Sequence, residues 1–459
     1  MSREQLLELV QWLLAEQVRL RAEIEQLNRN NARAAAPFSK NQRKKNPPRP
    51  GRKAGQGTFR HRPAPPAEEY TGAVEDVPVT STHCPDCGGV LVGDEEEIVT
   101  QTELPPTPKP DIKAYRIQIR SCCRCQRKVR GAHPEVSPDQ YGATAHRLGP
   151  RAQAAGAALH YDDGIPQRKV PRVLKCLTGL SVTQGALTQA ALRLGTGDGP
   201  VAQQYEQLRG QIKEQPAINT DDTGWRIGGE TAHLMVFESQ PLVVYQIRPR
   251  HRNEEVREVI GDHDAGTLCT DRGKSYDAKK LDAVQQQKCL SHILRSLDAV
   301  LESKSGRAQC FGMVLKAQLK EARQLYKTCH VPEQKLDDYA ARVQALELEI
   351  SWQLRPRRLA DRDNQRLLKE LGRHHERSNL LRFLHEPQTV APRNNAAERA
   401  LRPAVIARKV SPYSKNQGGA AAYAAFKSVI GTLKKSGGEV LAQLTRLLAP
   451  PQPALENTC

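Results

Sequence analysis

The chain has 459 residues, enough for several domains, and carries 69 Lys plus Arg against 51 Asp plus Glu, a net charge of +18. That balance favours a polyanionic partner, and a charge of this size also suits a membrane surface or a ribosome. No run of about eighteen apolar residues occurs, which excludes a membrane-spanning helix, and the acids Glu4, Glu8, Glu16 and Glu23 are unlike the basic start of a signal peptide, so a cytoplasmic protein is expected.

Residues 1–30 read as a helical leader. Leu6, Leu13, Leu20 and Leu27 recur every seven residues, with Val10, Gln17 and Ile24 at the complementary positions, which is the seam of a short coiled coil. Such a coil is marginal alone. It either supports a homo-oligomer held together elsewhere or lies as one amphipathic helix on its own chain. Residues 31–75 form a linker arm. From Gln26 to Ala67 there are eleven Lys or Arg and no acid, and the Pro- and Gly-rich stretch carrying Lys40, Arg43, Lys44, Lys45, Arg49, Arg52 and Lys53 cannot bury a core. One-signed charge of this density suits a disordered arm that neutralises phosphates; a solvated linker is the plainer alternative.

Residues 76–135 hold five of the eleven cysteines, in Cys84-Pro-Asp-Cys87-Gly-Gly and Cys122-Cys123-Arg-Cys125. Two knuckles of this spacing read as a zinc-binding ribbon, with Zn²⁺ on Cys84, Cys87, Cys122 and Cys125. Cys123 or His83 can stand in for one ligand, and free thiols or a disulfide are the alternatives. Glu95 to Val99 and Tyr115 to Arg120 are the expected strands. Residues 136–210 predict a helical segment. One helix (Val170, Val173, Leu174, Leu177) ends at Gly179, and a second, capped by Ser181 or Thr183, carries Val182, Leu187 and Leu192. The order is helix-turn-helix-like, with Gln184 and Thr188 as candidates for base contact, although any αα-hairpin gives the same pattern.

From residue 211 the pattern changes. Ala217–Ile227 (AINTDDTGWRI), Thr231–Phe237 and Leu242–Ile247 predict a three-stranded meander whose first strand carries Asp221 and Asp222. An amphipathic stretch (Glu254, Val256, Val259, Ile260) then leads to a further strand, Gly266–Asp271. A crossover of this length permits the first and last of these strands to pair in parallel, which sets Asp271 beside Asp221. Residues 211–299 thus form the first part of an α/β domain. Near its end Cys289 and His292 make a CxxH pair, which by itself reads as core or helix cap. Residues 300–386 are charged and helical, Leu336 to Leu354 for instance, and are expected to form an all-α insertion whose Arg-rich stretch 355–366 can follow a phosphate backbone.

Residues 387–448 complete the α/β domain, and 449–459 are a tail. In Arg393–Lys409 (RNNAAERALRPAVIARK) Glu398 is the single acid among five cations. Its helix has the apolar stripe Ala397, Leu401, Ala404 and Val405, with Pro403 placed to kink it. Arg399, Arg402, Arg408 and Lys409 are candidate phosphate contacts. Three converging carboxylates repel one another and need cations, and oxygen-only ligation suits Mg²⁺ or Mn²⁺. The plainer reading gives each acid a turn or a local ion pair.

The strings TDDTGW, LCTDRGKSYD, QQKCLSHILRSL and NNAAERALRPAVIARK, in this order, resemble the catalytic half of bacterial transposases of the insertion sequence 66 family. The leader, basic linker, CPxCGG element and helical segment resemble the N-terminal half of the same family. The resemblance implies a multidomain protein with an RNase H-like α/β catalytic domain and a D-D-E site, in which Asp221, Asp271 and Glu398 hold Mg²⁺ (or Mn²⁺), and it places the CxxH pair nearby. Where the family commonly shows Asp-Glu-Thr this chain has Asp221-Asp222-Thr223, so motif position favours Asp221 while leaving Asp222 open. The implied partners are DNA (terminal inverted repeats and target DNA), further copies of the chain and accessory proteins of the same element, in the nucleoid. Three functions fit the residues: a transposase that cleaves and transfers strands, an RNase H-like nuclease without strand transfer, and a non-catalytic transposase-derived DNA-binding protein. The presence of all three acids argues against the last.

Overall fold

The computed structural model describes residues 148–449 apart from 262–265, 330–335 and 412–413, together with parts of 65–136 and a few positions between 11 and 20. The chain divides into two units, residues 1–104 and 105–459. Leu6, Leu13 and Leu27 of the expected seam and the arm cations from Lys40 to Lys53 lie outside the described residues.

In the first unit the chain turns sharply at Cys84. Its N–H donates to Gly89 O (2.8 Å) and its carbonyl accepts from Gly88 N–H (2.9 Å), with Gly88 at φ +73° in the left-handed region that glycine tolerates. The second unit repeats this turn at Cys122, where the N–H donates to Arg127 O and the carbonyl accepts from Gln126 N–H, both at 2.9 Å. Strands β1 (Ile119–Ser121) and β2 (Lys128–Arg130) flank that turn as an antiparallel pair. The expected strand at 115–120 therefore forms only at its end, and its partner follows Cys125. The knuckle folds the chain straight back, so the nearest backbone takes the pairing. Of the other expected strand, 95–99, only Ile98 is among the described residues.

Helices α1 (Pro150–Ala157), α2 (Val170–Thr178), α3 (Gln184–Gly195) and α4 (Pro200–Ile212) follow, with one π turn extending α1 to Asp162. Gly179 ends α2 at φ +70°, and Thr183, not Ser181, caps α3 by accepting from Ala186 N–H. Ala154, Ala157, Ala191, Val201, Leu208 and Ile212 join the same core as the sheet, so α1, α3 and α4 pack onto the α/β domain, while Val170 and Leu174 of α2 cluster with Leu187 of α3.

The sheet has five strands in the order β5-β4-β3-β6-β7. Strands β3 (Ala217–Ile227), β4 (Glu230–Glu238) and β5 (Val243–Arg248) form the antiparallel meander. Helix α5 (Asn253–Ile260) then crosses over to β6 (Thr267–Thr270) and β7 (Gln285–Lys288), which run parallel to β3. Helices α6 (Leu290–Ser303), α7 (Arg307–Lys327), α8 (Leu336–Leu354), α9 (Arg362–Glu376) and α10 (Arg382–His385) come next. They close around a second core that includes Leu297, Leu315, Leu346, Ile350, Leu368 and Phe383. Helices α11 (Asn395–Val410), α12 (Gln417–Lys435) and α13 (Val440–Leu448) return to the sheet. Among the described residues no helix is long and apolar enough to cross a membrane.

Both sheet edges are satisfied by other elements. On β5 the N–H groups of Val243 and Tyr245 donate to Thr432 Oγ1 (3.1 Å) and Ser428 Oγ (2.8 Å) of α12. On β7 Lys288 N–H donates to Asn379 O (2.7 Å), while the Gln287 amide bonds Leu380 O (3.0 Å) and Phe383 N–H (3.2 Å). Neither edge is left as a template for pairing with another chain.

Helix α12 is the spine of the main core. Phe426 is fully buried and stacks on Tyr161 at 4.6 Å between ring centroids. A Cβ at Gly195 would lie 3.1 Å from the Phe426 ring, so α3 approaches α12 closely because it ends in glycine. Phe426→Ala should therefore lower stability by about 3–5 kcal/mol, by lost transfer energy plus cavity. Urea denaturation of the two proteins measures this, and a difference below about 1 kcal/mol would mean that the site collapses or that this packing is not formed.

Candidate active site

Sheet register decides which acids share a face. Asp221 lies opposite Val236, and Val236 opposite Tyr245, so the three side chains form one row on one face. On the parallel side Ala217–Asn219 pair with Thr267–Cys269, and the same offset continued by two residues brings Asp221 level with Asp271, just past β6. Helix α11 covers this face. Tyr245 donates its hydroxyl to Ala400 O (2.7 Å), and Arg408 donates to Thr223 Oγ1 (3.0 Å) and to Gly224 O. Glu398 sits in the first turn of α11, 3.8 Å from Arg295 of α6, with 41% of its side chain exposed. Val405 is half-buried rather than core, and the helix continues through Pro403.

A buried asparagine ties the segments together. Asn394, 1% exposed, donates its amide to Thr220 O (2.7 Å) and its backbone N–H to Cys289 Sγ (3.3 Å). Cys289 N–H in turn donates to Thr270 O (2.8 Å), and Leu290 N–H to Pro392 O (2.9 Å). The residue before each aspartate and the residue one turn before Glu398 are thus joined by three hydrogen bonds. Close by, Gly273 N–H donates to Asp271 Oδ1 (2.8 Å), and a Cβ there would lie only 2.9 Å from that oxygen. Arg272 forks onto both carboxylate oxygens of Glu370 (2.8 and 2.7 Å), anchoring this loop to α9.

Asp221 sits uneasily as an anion. Burial pushes its carboxyl up to about 6, and the charges of Asp271 and Asp222 add to this against the N–H of Asp222, which donates to it at 2.9 Å. Among the described residues no Lys or Arg pairs with Asp221 or Asp271.

Asp222 points the other way. It shares its row with Met235 and Gln246, and Gln246 donates to Glu255 O of α5 (2.9 Å). Its Oδ2 lies 2.8 Å from His233 Nδ1 and its Oδ1 3.1 Å from His251 Nδ1. Burial would raise this carboxyl, but hydrogen bonds and charge from the two imidazoles hold it below the ordinary value, and the same contact outweighs the effect of burial on His251 and raises it. Sequence reasoning missed His233 and His251. They are single histidines on separate segments, and no spacing marks them.

The CxxH pair is at once a helix start and a neighbour of the acids. Cys289 is the buried N-terminal cap residue of α6. Burial would raise its thiol, yet His292 and the Asn394 N–H hold it low, while the thiol raises His292. Of the α11 cations, Arg399, Arg402 and Lys409 are exposed and Arg408 is turned onto β3. In the insertion Arg355 stacks on Trp352 at 3.6 Å and donates to its carbonyl (2.6 Å). On α3, Gln184 is exposed, and Thr188 donates to its carbonyl (2.9 Å). In each cysteine knuckle the first thiol is lowered by the loop's own N–H groups: Cys84 by those of Cys87 and Asp86, Cys122 by those of Cys125 and Arg124.

The raised Asp221 carboxyl has a measurable sign. A folded-state value above the unfolded one adds stability that is full below about pH 4 and is lost as pH rises through about 6. Asp221→Asn should thus stabilise the metal-free protein near pH 8 by about 1–3 kcal/mol, reduced from the full shift because the group is partly solvated. The gain should vanish near pH 4. Denaturant titrations at the two pH values decide; equal gains at both would mean that ionisation is not the cause.

Compared with known proteins, residues 146–422 match the model of the transposase IS66 family, a span that runs from the segment before α1 through β3, β6 and α11 into α12. No curated protein matches the chain. A match over more than half of the length, covering every strand of the sheet and all three acids, establishes that the chain belongs to the transposase IS66 family.

Proposed function

We propose that the protein is the D-D-E transposase of an insertion sequence, which binds the ends of its element and catalyses metal-dependent DNA strand cleavage and strand transfer. What supports this reading is that the β3–β6 register, continued two residues past its last pair, sets Asp221 level with Asp271, and that Asn394, one turn before Glu398, bonds Thr220 next to Asp221. A meander followed by two parallel strands, in the order found here, supports the RNase H-like assignment. The face fits divalent cations, since its acids are oxygen donors, Asp221 and Asp271 have no paired Lys or Arg among the described residues, and burial holds Asp221 up against ionisation. Asp221, Asp271 and Glu398 would hold Mg²⁺ or Mn²⁺. Bound there, two such ions supply the positive charge that stabilises the attacking and leaving oxygens of a phosphodiester.

The chain's own groups do the rest. Asn394 positions Glu398 relative to both aspartates. Exposed Arg399, Arg402 and Lys409, with Arg295 beside Glu398, are set to contact phosphates flanking the reacting bond. Helices α2 and α3 offer a helix-turn-helix-like unit for reading element ends. The knuckle cysteines Cys84, Cys87, Cys122 and Cys125 are proposed zinc ligands, supported by N–H groups in each loop that favour the thiolate.

The test is a series of single variants assayed for end cleavage, joining to target and DNA affinity. Glu398→Gln and Asp271→Asn should reduce cleavage and joining by orders of magnitude while DNA binding survives, and Asp222→Asn should be milder than Asp221→Asn because its side chain leaves from the opposite face. Near-normal cleavage by Glu398→Gln would remove the assignment. Cleavage without any joined product in the unmodified protein would favour the nuclease. A separate prediction concerns the arm: deleting residues 40–62, with nine cations and no acid, should weaken binding to all DNA sequences alike and flatten the log-log salt dependence by several units. An unchanged slope would make the arm a linker.

A further inference from the structure

We propose that Asp222, His233 and His251 form a second cation site, for a divalent transition metal such as Zn²⁺, Co²⁺ or Mn²⁺, on the sheet face opposite Asp221. Three donors from three segments converge there: Asp222 from β3, His233 from β4 and His251 from the loop between β5 and α5. Asp222 meets the two Nδ1 atoms at 2.8 and 3.1 Å, and all three ligand atoms lie within 4.8 Å of one another. Metal bonds of about 2.0–2.2 Å place neighbouring donors about 3.3–3.6 Å apart in a tetrahedral shell, so the contacts to Asp222 need to open by well under about 1 Å.

The surroundings favour a cation over a sealed hydrogen-bond network. Sheet register fixes Asp222 and His233, and Ser275 Oγ holds the backbone carbonyl of His251 at 2.9 Å. Among the described residues His251 Nε2 is buried without a hydrogen-bond partner, and the ring turns its Nδ1 to Asp222. The side chains of Asp222 and His233 are 26% and 38% exposed, which leaves access for an ion and room for water as a further ligand. Two imidazoles with one carboxylate select borderline transition metals over Mg²⁺. A metal there would cross-link β3, β4 and the β5–α5 loop behind the strand that carries Asp221.

The test uses full-length protein stripped of metal and titrated with Co²⁺. The expected result is one Co²⁺ per chain, beyond any taken by the proposed cysteine and three-acid positions, whose weak visible d–d bands carry no thiolate charge transfer. This ion is lost in the His233→Ala/His251→Ala protein but kept in Cys84→Ser and in Asp271→Asn, each of which removes a ligand from another proposed position. An equal count in the double variant overturns the site. Because that variant can fail to fold, the ring nitrogens of ¹⁵N-histidine are also followed in unmodified protein as Zn²⁺ is added. Changed resonances of His233 and His251 support the site, and unchanged ones leave Asp222 as a hydrogen-bond acceptor only and overturn it.

Discussion

The arrangement of the acids depends on one buried amide. Asn394 reaches the carbonyl before Asp221 and the sulfur of Cys289, whose own N–H holds the carbonyl before Asp271. These segments are far apart in sequence, and apolar packing alone tolerates sliding by fractions of an ångström. A directional bond between buried partners does not, since breaking it leaves a desolvated group unpaired at a cost of about 1–3 kcal/mol. The buried Asn394 Oδ1 has no hydrogen-bond partner among the described residues. That is a local cost accepted where register matters most.

Around this hub the sheet works as a partition. One face carries Asp221, Val236 and Tyr245 toward α11, and the other carries Asp222, Met235 and Gln246 toward α5. Adjacent aspartates therefore have opposite electrostatic fates. Asp221 is raised by burial beside another acid, whereas two histidines keep Asp222 ionised. Strain of the first kind is typical of a site arranged for charge that arrives with its ligands.

Much of this was readable in the sequence where the pattern is local. The meander followed from apolar runs with short breaks, the crossover from its amphipathic length, and Leu336–Leu354 came out as a helix of the same limits. The parallel partner of β3 was legible because the crossover had the right length, and its register, continued two residues past the last pair, sets the two aspartates level. What stayed hidden depends on contacts between distant segments. Asn394 looked like one amide in a polar run, and His233 and His251 carry no mutual spacing. The pairing of β1 with β2 was missed because these are two three-residue strands, too short for a periodic signal. Arg408 was read as a candidate phosphate contact, and the contacts that turn it onto Thr223 and Gly224 carry no signal in the sequence.

The helical excursion from α6 to α10 leaves and re-enters the α/β domain at one point, where Leu290 N–H meets Pro392 O. Its two ends are therefore stitched together at the base. Length changes in α7 and α8, away from that base and from the Asn379–Phe383 stretch that closes β7, need not displace Glu398, so this region is a cassette whose outer helices can vary. The same layout restricts communication. Arg272 with Glu370, and Arg373 with Asp277, are ionic struts between the cassette and the Asp271 loop. A molecule gripping the cassette would have these struts through which to nudge the second aspartate.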